Sequence, residues 1–169
     1  NTSSWIALAI TIWWAQAHDF VLFPVDMSGA LECAHWPPGN KVLLSPPADL
    51  REPGVYWEPL RAIYGLRPLP KLVDRQFAAD LQDLGFVRNR AEPQLFWRKN
   101  DNVVIMAHVD DVLIAAAPDH VAAVKLELEQ KYKLKWLPQW GDQWVSYLGR
   151  EWKRETNGAV LVRLPASVY

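Results

Sequence analysis

The sequence has little cysteine and no apolar run long enough to cross a bilayer. Cys33 is the only cysteine among 169 residues, which excludes a disulfide framework and a cysteine-rich zinc site. We therefore expect an intracellular protein in which Cys33 packs as a small hydrophobic residue. The apolar stretch at residues 5–17 is too short to span a membrane and lacks the flanking features of a signal peptide. We interpret it as a buried helix and expect no membrane partner.

Net charge is also low, but charge is unevenly distributed along the chain. The formal net charge is −1, yet residues 51–99 carry nine basic and six acidic side chains. Aromatic residues are interspersed among these basic ones, a pattern typical of surfaces that contact phosphates and stack on bases. A solvated basic surface over core aromatics explains the same composition. The candidates for contacts with a nucleic-acid backbone are Arg61, Arg67, Lys71 and Arg75.

The most informative stretch is residues 103–117, where Asp110 and Asp111 interrupt an apolar run. Alternation predicts a strand at residues 103–109, a turn at the two aspartates and a second strand at residues 112–116. Aspartate is common in turns for conformational reasons alone. The other explanation is a divalent-cation site, because two carboxylates about 4 Å apart repel by about 4 kcal/mol at an effective dielectric of 20 and a cation reverses this cost.

A third acid occurs in a similar setting. Residues 20–26 form a short apolar strand that ends at Asp26, so Asp26 meets Asp110 and Asp111 if the two strands are neighbours. Three such carboxylates are the ligand set of two-metal phosphoryl transfer, in which two Mg²⁺ ions lie about 4 Å apart. The four histidines show no comparable metal-ligand spacing.

The remaining elements alternate between helices and strands. We predict a helix at residues 5–17 with an apolar stripe, a proline-rich loop at residues 36–59 and a helix of about 14 residues after Pro70. The stripe of the first helix comprises Ile6, Ala9, Ile10 and Trp13; that of the second comprises Val73, Phe77, Leu81 and Leu84. Gly85 follows as a C-terminal stop signal for the second helix.

Further along, we predict a strand at residues 94–99 and a helix at residues 120–133. A final pair of strands, at residues 145–152 and 160–164, is joined by a turn at Asn157 and Gly158. Residues 136–144 give no clear secondary-structure pattern. This order of elements predicts one α+β domain, with a mostly antiparallel sheet and helices packed on one face.

Six motifs, in this order, resemble the reverse transcriptase (RNA-directed DNA polymerase) domain of copia-type LTR retrotransposon polyproteins. The resemblance extends over nearly the whole chain. The motifs are Phe23-Pro24-Val25-Asp26 followed by Ala30, Ile63-Tyr64-Gly65-Leu66-Arg67 with Pro70, Leu84-Gly85-Phe86, Glu92-Pro93-Gln94-Leu95-Phe96, His108-Val109-Asp110-Asp111, and Tyr147-Leu148-Gly149.

The resemblance implies a polymerase palm with part of the fingers. It implies that residues 1–99 are residual fingers and the first part of the palm, and that residues 100–169 are the palm hairpin, a helix and a primer-grip-like hairpin. Asp26, Asp110 and Asp111 would be the catalytic carboxylates that bind two Mg²⁺ ions, for which Mn²⁺ is a possible substitute. The remaining implied sites are a nucleotide pocket at Met27, Ser28, Gly29, Ala30, Leu31 and Pro68, and a primer support at Tyr147, Leu148 and Gly149.

Some positions differ from the family pattern. Leu31 replaces an aromatic residue of the nucleotide pocket, Pro68 replaces a glutamine, and His108 replaces the tyrosine before Val-Asp-Asp. We also expect the rest of the fingers, the thumb and the RNase H region to lie elsewhere in a longer polyprotein. The isolated chain is therefore expected to be inactive in templated DNA synthesis.

The expected partners are a template-primer of RNA or DNA and deoxynucleoside triphosphates, within a cytoplasmic virus-like particle if the parent element is active. Two other interpretations remain open at this point. One is a degenerate, non-catalytic remnant or nucleic-acid-binding module that uses the basic surface. The other is an unrelated Mg²⁺-dependent hydrolase that uses the same carboxylates without a template.

Overall fold

The computed structural model describes residues 2–27, 42–61 and 69–165. Within these ranges three α-helices, α1 to α3, span Thr2–Ala17, Leu69–Asp83 and Val121–Glu129, and a single 3-10 turn spans Ala48–Leu50. The strands β1 to β9 span, in chain order, Val21–Asp26, Val87–Arg88, Leu95–Arg98, Val103–His108, Asp111–Ala116, Lys135–Trp136, Val145–Tyr147, Arg150–Arg154 and Val160–Arg163.

The strands form two sheets. The larger has six strands in the order β2-β3-β4-β5-β1-β6, and the smaller has three in the order β7-β8-β9. Neighbouring strands are antiparallel throughout both sheets. The prediction of an α+β domain built on an antiparallel sheet is confirmed.

The helices cover both faces of the larger sheet, which differs from the prediction of helices on one face. Successive strand residues point to opposite sides, so Val112 and Ile114 pack with α2 and α3, whereas Leu113 and Ala115 pack with α1 and the smaller sheet. A strand that is apolar on every residue needs a layer on each side. The near-continuous apolar run in β5 is thus explained by two cores.

Helix α1 buries a different side from the predicted stripe. Ala7, Leu8 and Ala15 are buried, whereas Ile10 is 39% exposed and Trp13 is 60% exposed. The helix is apolar around most of its circumference, so hydrophobic periodicity alone cannot identify its buried side. Across residues 2–27, 42–61 and 69–165, no helix combines the length and the hydrophobicity that a membrane crossing requires.

The apolar stripe predicted for the second helix is confirmed within the bounds of α2. Val73, Phe77 and Leu81 of α2 are buried in one core with Val124 and Leu128 of α3. The chain leaves α2 through Gly85, which has a φ of +83°. The amide of the following residue, Phe86, donates to the carbonyl of Leu81 at 2.9 Å, as expected for a glycine-terminated helix.

One prediction in the last third of the chain needs correction, and the structure adds a strand and a buried tryptophan where the sequence shows no clear pattern. The strand predicted at residues 145–152 is divided into β7 and β8 by a turn at Leu148 and Gly149, both of which have positive φ values. Residues 136–144 have no clear pattern in the sequence. They begin in the two-residue strand β6 and include Trp140, which is 1% exposed in the core beneath the smaller sheet.

Candidate active site

Strand pairing brings the predicted carboxylates together. Asp26 ends β1 and Asp111 begins β5, and the two residues are register partners in the antiparallel pair. Directly paired residues point to the same face with Cβ atoms about 4.5–5.5 Å apart. Asp110 lies in the two-residue turn that joins β4 to β5. Three acids from two separate sequence regions therefore occupy one end of the sheet.

The electrostatics of Asp111 reflect this crowding. Burial raises the pKa of Asp111 above its ordinary value of 3.8, and the negative charges of Asp110 and Asp26 raise it further. The nearby ring of His108 partly opposes the increase. Such a group is less stable as an anion in the folded chain than in water, so the cluster favours a positive charge beside it.

The turn that carries Asp110 has a strained backbone. Val109 has a φ of +59°, a region that β-branched residues rarely adopt and that glycine tolerates. The amide of Met27 donates to the carbonyl of Asp110 at 2.8 Å, so the residue after β1 holds the turn in place. Strain of this kind costs about 1–3 kcal/mol and often occurs at functional sites.

A polar cluster supports the hairpin next to the carboxylates. His108 pairs with Asp111 across the hairpin, and its Nδ1 lies 3.0 Å from Ser4 Oγ and 3.2 Å from Gln94 Nε2. Gln94 Nε2 also donates to Ser4 Oγ at 3.2 Å. Sequence reasoning missed Ser4 and Gln94, because no local pattern connects residues 104 positions apart.

The turn between β7 and β8 reaches the same site. Tyr147 is 3% exposed and its hydroxyl lies 4.0 Å from the sulfur of Met106. Burial raises the pKa of Tyr147 well above its ordinary value, and the charge of Asp111 adds to the increase. Leu148 and Gly149, with φ values of +50° and +68°, form the turn beyond it. Of the residues predicted as a primer support, Tyr147 thus lies close enough to Asp111 to be affected by its charge, and Leu148 and Gly149 follow it in the turn.

Comparison with protein families gives a match to reverse transcriptase (RNA-dependent DNA polymerase) over residues 15–165. The match covers well over half of the chain. The chain belongs to the reverse transcriptase family. This confirms the family that the six motifs indicated, and it points to a nucleic-acid substrate and a polyprotein context. A search among curated proteins returned no match.

The predicted nucleotide-pocket residues of this reverse transcriptase domain fall mostly outside the described residues, as Ser28, Gly29, Ala30, Leu31 and Pro68 all do. The exception is Met27, whose side chain is 2% exposed in the core beneath α2 and α3. Any contact of Met27 with a nucleotide would therefore be made by its backbone.

The basic residues predicted to contact a nucleic-acid backbone are not grouped around the carboxylates. Lys71 and Arg75 are exposed on α2, whose buried side packs on the sheet face opposite to Asp26 and Asp111. Arg61 is exposed at the end of the second described range, and Arg67 lies outside the described residues. Their role remains a prediction.

The donor chemistry of the carboxylate cluster fits Mg²⁺, which prefers carboxylate oxygens. The mutual repulsion that raises the pKa of Asp111 fits a cation equally well. The side chains are not preassembled, however: among residues 2–27, 42–61 and 69–165, no group of three or more His, Cys, Asp or Glu is arranged to hold a metal ion. The residues present thus fit a divalent cation by charge and donor type, and their side chains would have to rearrange to bind one together.

Proposed function

We propose that this domain is the palm of a copia-type retrotransposon reverse transcriptase, in which Asp26, Asp110 and Asp111 bind Mg²⁺ for templated DNA synthesis. The observation that carries the proposal is the register pairing of Asp26 with Asp111 beside the Asp110 turn. It is supported by the match to the reverse transcriptase family. Neither the strands nor the turn requires three acids at this position for folding.

Each carboxylate has a distinct structural setting in this proposal. Asp26 and Asp111 project from paired strands and are held by the sheet, while Asp110 lies in a turn that the Met27 amide fixes at 2.8 Å. The proposal requires the three side chains to converge when a cation binds. Bound Mg²⁺ would supply charge stabilisation for nucleotidyl transfer, helping the primer hydroxyl to attack and the leaving oxygen to depart.

The neighbouring residues have supporting roles. Tyr147 is buried and its pKa is raised further above the already high value of a tyrosine, so its hydroxyl is neutral at every physiological pH and adds no fourth negative charge beside Asp111. The Ser4 and Gln94 side chains hold the ring of His108 at the end of β4. Together they keep the hairpin against α1 and the smaller sheet.

We further propose that the domain works only as part of a longer polyprotein, within a cytoplasmic virus-like particle. Leu31 and Pro68 lack the aromatic ring and the amide side chain that their positions in the family imply. A palm with so few means of holding a nucleotide is expected to need fingers and a thumb. The isolated chain should therefore not extend a primer.

Primer extension tests the proposal directly. The polyprotein that contains this domain is incubated with a template-primer, deoxynucleoside triphosphates and Mg²⁺, and product length is measured. Wild-type protein should extend the primer, Asp110→Asn should lose at least about 100-fold in rate, and removal of Mg²⁺ should abolish extension. Asp142→Asn is the matched control, because Asp142 is an exposed acid outside the cluster.

Two results would contradict the proposal. Full extension by Asp110→Asn would exclude the assigned role of the carboxylates. Turnover that is independent of a template would indicate a hydrolase instead. Salt-sensitive binding of nucleic acid without extension, unaffected by all three aspartate substitutions, would identify a non-catalytic binding module.

A further inference from the structure

An arginine–tryptophan pair, the half-buried Arg150 over the exposed Trp5, lies outside the three carboxylates on the elements that pack beside them. The guanidinium carbon of Arg150 is 5.2 Å from the ring centre of Trp5, and Trp5 is 42% exposed. Two other arginines of the smaller sheet have a carboxylate within reach: Arg154 lies 4.0 Å from Asp19, and Arg163 lies 2.6 Å from Glu151. Arg150 has no carboxylate partner within the part of the chain that the structure describes. Its charge therefore remains available to a ligand.

Two independent connections place this pair beside the carboxylates. Arg150 is the register partner of Tyr147, so both side chains point to the same face of the smaller sheet. Tyr147 in turn lies close enough to Asp111 for the carboxylate charge to raise its pKa. Arg150 and Tyr147 thus flank the β7–β8 turn, and Tyr147 connects this turn with Asp111.

The second connection runs through α1. Ser4, which precedes Trp5 in the helix, lies 3.0 Å from the ring of His108, and His108 is the register partner of Asp111. Trp5 also lies 6.3 Å from Trp152 between ring centres. Trp152 stacks on the buried Trp140 at 5.1 Å. The aromatic surface of Trp5 is therefore held by a packed core instead of lying on a loop.

We propose that Trp5 and Arg150 bind a nucleic-acid strand beside the carboxylate site, with Arg150 contacting a phosphate and Trp5 stacking on a base or sugar. An un-neutralised guanidinium suits phosphate oxygens, and an exposed indole stacks on any base without reading its identity. An acidic peptide would use the charge but gain little from the ring. The identity of the ligand rests on the proposed function, whereas the site itself rests on the contacts above.

The chain contains a matched control for this pair. Arg163 lies over Trp144 with its guanidinium carbon 4.0 Å from the ring centre, so it forms the same kind of contact. It differs in that Glu151 neutralises its charge at 2.6 Å. Comparing nucleic-acid binding by Arg150→Gln and Arg163→Gln shows whether binding needs an arginine without a carboxylate partner or any arginine that packs on a tryptophan.

The test is binding of a fluorescent primer-template duplex to the 169-residue chain, measured by anisotropy over a series of salt concentrations. EDTA is present throughout, so binding does not depend on a metal. Arg150→Gln should weaken binding about three- to ten-fold and reduce the slope of log K against log salt by about 1. Trp5→Leu should weaken binding about five-fold or more with little change in slope.

Arg163→Gln should bind as the wild type does, and Arg150→Lys should retain the salt slope. Thermal melts of each variant verify that loss of binding does not reflect loss of folding. An unchanged slope in Arg150→Gln, or an equal loss in Arg163→Gln, would overturn the proposal. Displacement of the duplex by polyglutamate, with the same dependence on Arg150 and none on Trp5, would overturn the nucleic-acid assignment in favour of an acidic peptide.

Failure of this inference and failure of the proposed function give different results. If Arg150→Gln binds the duplex as the wild type does and primer extension requires Asp110, only the proposed role of Trp5 and Arg150 is refuted. Binding that requires Arg150 and Trp5, combined with extension that survives Asp110→Asn, refutes only the catalytic assignment.

Discussion

Replacing Asp111 by asparagine should stabilise the metal-free fold at neutral pH. Asp111 is partly buried, is the register partner of Asp26 and lies next to Asp110. Its pKa is raised, first by burial and then by the two neighbouring charges. A carboxyl whose pKa is higher in the folded than in the unfolded chain destabilises the fold when it is ionised. Asparagine keeps the shape of the side chain and removes the charge.

The size of the effect follows from the electrostatics. Register partners have Cβ atoms about 4.5–5.5 Å apart, and two unit charges about 5 Å apart repel by about 1 kcal/mol in water and about 3 kcal/mol at an effective dielectric of 20. Asp110 is exposed, so solvent screens much of the repulsion and the lower figure applies. We expect a gain of about 1 kcal/mol, which raises the Tm of a chain of this size by about 2–4 °C.

Calorimetry in EDTA at pH 7 measures this gain, with Asp142→Asn as a control that should change Tm little. The advantage of Asp111→Asn should shrink as pH falls toward the raised pKa of Asp111, because the wild-type carboxyl then becomes neutral. It should also shrink when Mg²⁺ is added, since a cation bound by the wild type stabilises the folded state. A lower Tm for Asp111→Asn than for Asp142→Asn in EDTA would refute the reasoning.

The other predictions concern the turn and a buried ion pair. Val109→Gly should raise the free energy of unfolding by about 1 kcal/mol, because the strain energy that it relieves is larger than the entropic cost of fixing a glycine. Urea titration measures this change. The control is Val87→Gly, which lies on an ordinary strand and should lower the free energy of unfolding. Arg98→Met should lower the free energy of unfolding by about 3 kcal/mol, since Arg98 bonds Asp101 and Glu127, each at 2.6 Å; a loss below about 0.5 kcal/mol in urea would contradict this. Burial alone would raise the pKa of Asp101, but Arg98 holds it below 3.8, so this contribution exists above that pH and is lost as pH falls below it. Acid titration monitored by circular dichroism should therefore show a flatter decline in stability for Arg98→Met than for wild type.

Much of the β4–β5 hairpin could be predicted from the sequence. Alternating apolar residues in β4 and β5 identify both strands, and the turn position differs by one residue because Asp111 already pairs with Asp26. The pairing of β1 with β5 is not a local property. The acids at the end of β1 and in the hairpin indicate only that the three carboxylates meet if these strands are neighbours, and the structure shows that β1 and β5 are.

The β7–β8 turn, the burial of Trp140 and the buried side of α1 depend on long-range packing, which no local sequence pattern predicts. Leu148 has a positive φ, which leucine rarely adopts, so propensity predicts one continuous strand where the chain turns. Trp140 is buried by contacts with the smaller sheet and stacks on Trp152, although its neighbours in sequence are polar. The side of α1 that faces the sheet was also inaccessible to periodicity, because Ile10 and Trp13 are as apolar as Leu8.

The site residues also fall into those that the sequence indicates and those that only the folded chain brings together. Residue type and order indicated Asp26, Asp110 and Asp111, because three acids in apolar strands need a cause. The supporting contacts of Ser4 and Gln94 to His108 join three distant segments. Their polarity is ordinary for a surface helix and a turn. Only the folded chain shows them acting together.

In the proposed function, the carboxylate cluster performs template-directed nucleotide addition. Single-nucleotide incorporation by the polyprotein tests it most directly, using four templates that differ only in the first unpaired base. We predict that Mg²⁺-dependent addition follows the template base in every case and falls by at least about 100-fold in both Asp26→Asn and Asp110→Asn. Addition that ignores the template base, or that persists at the wild-type rate in either variant, would contradict the claim.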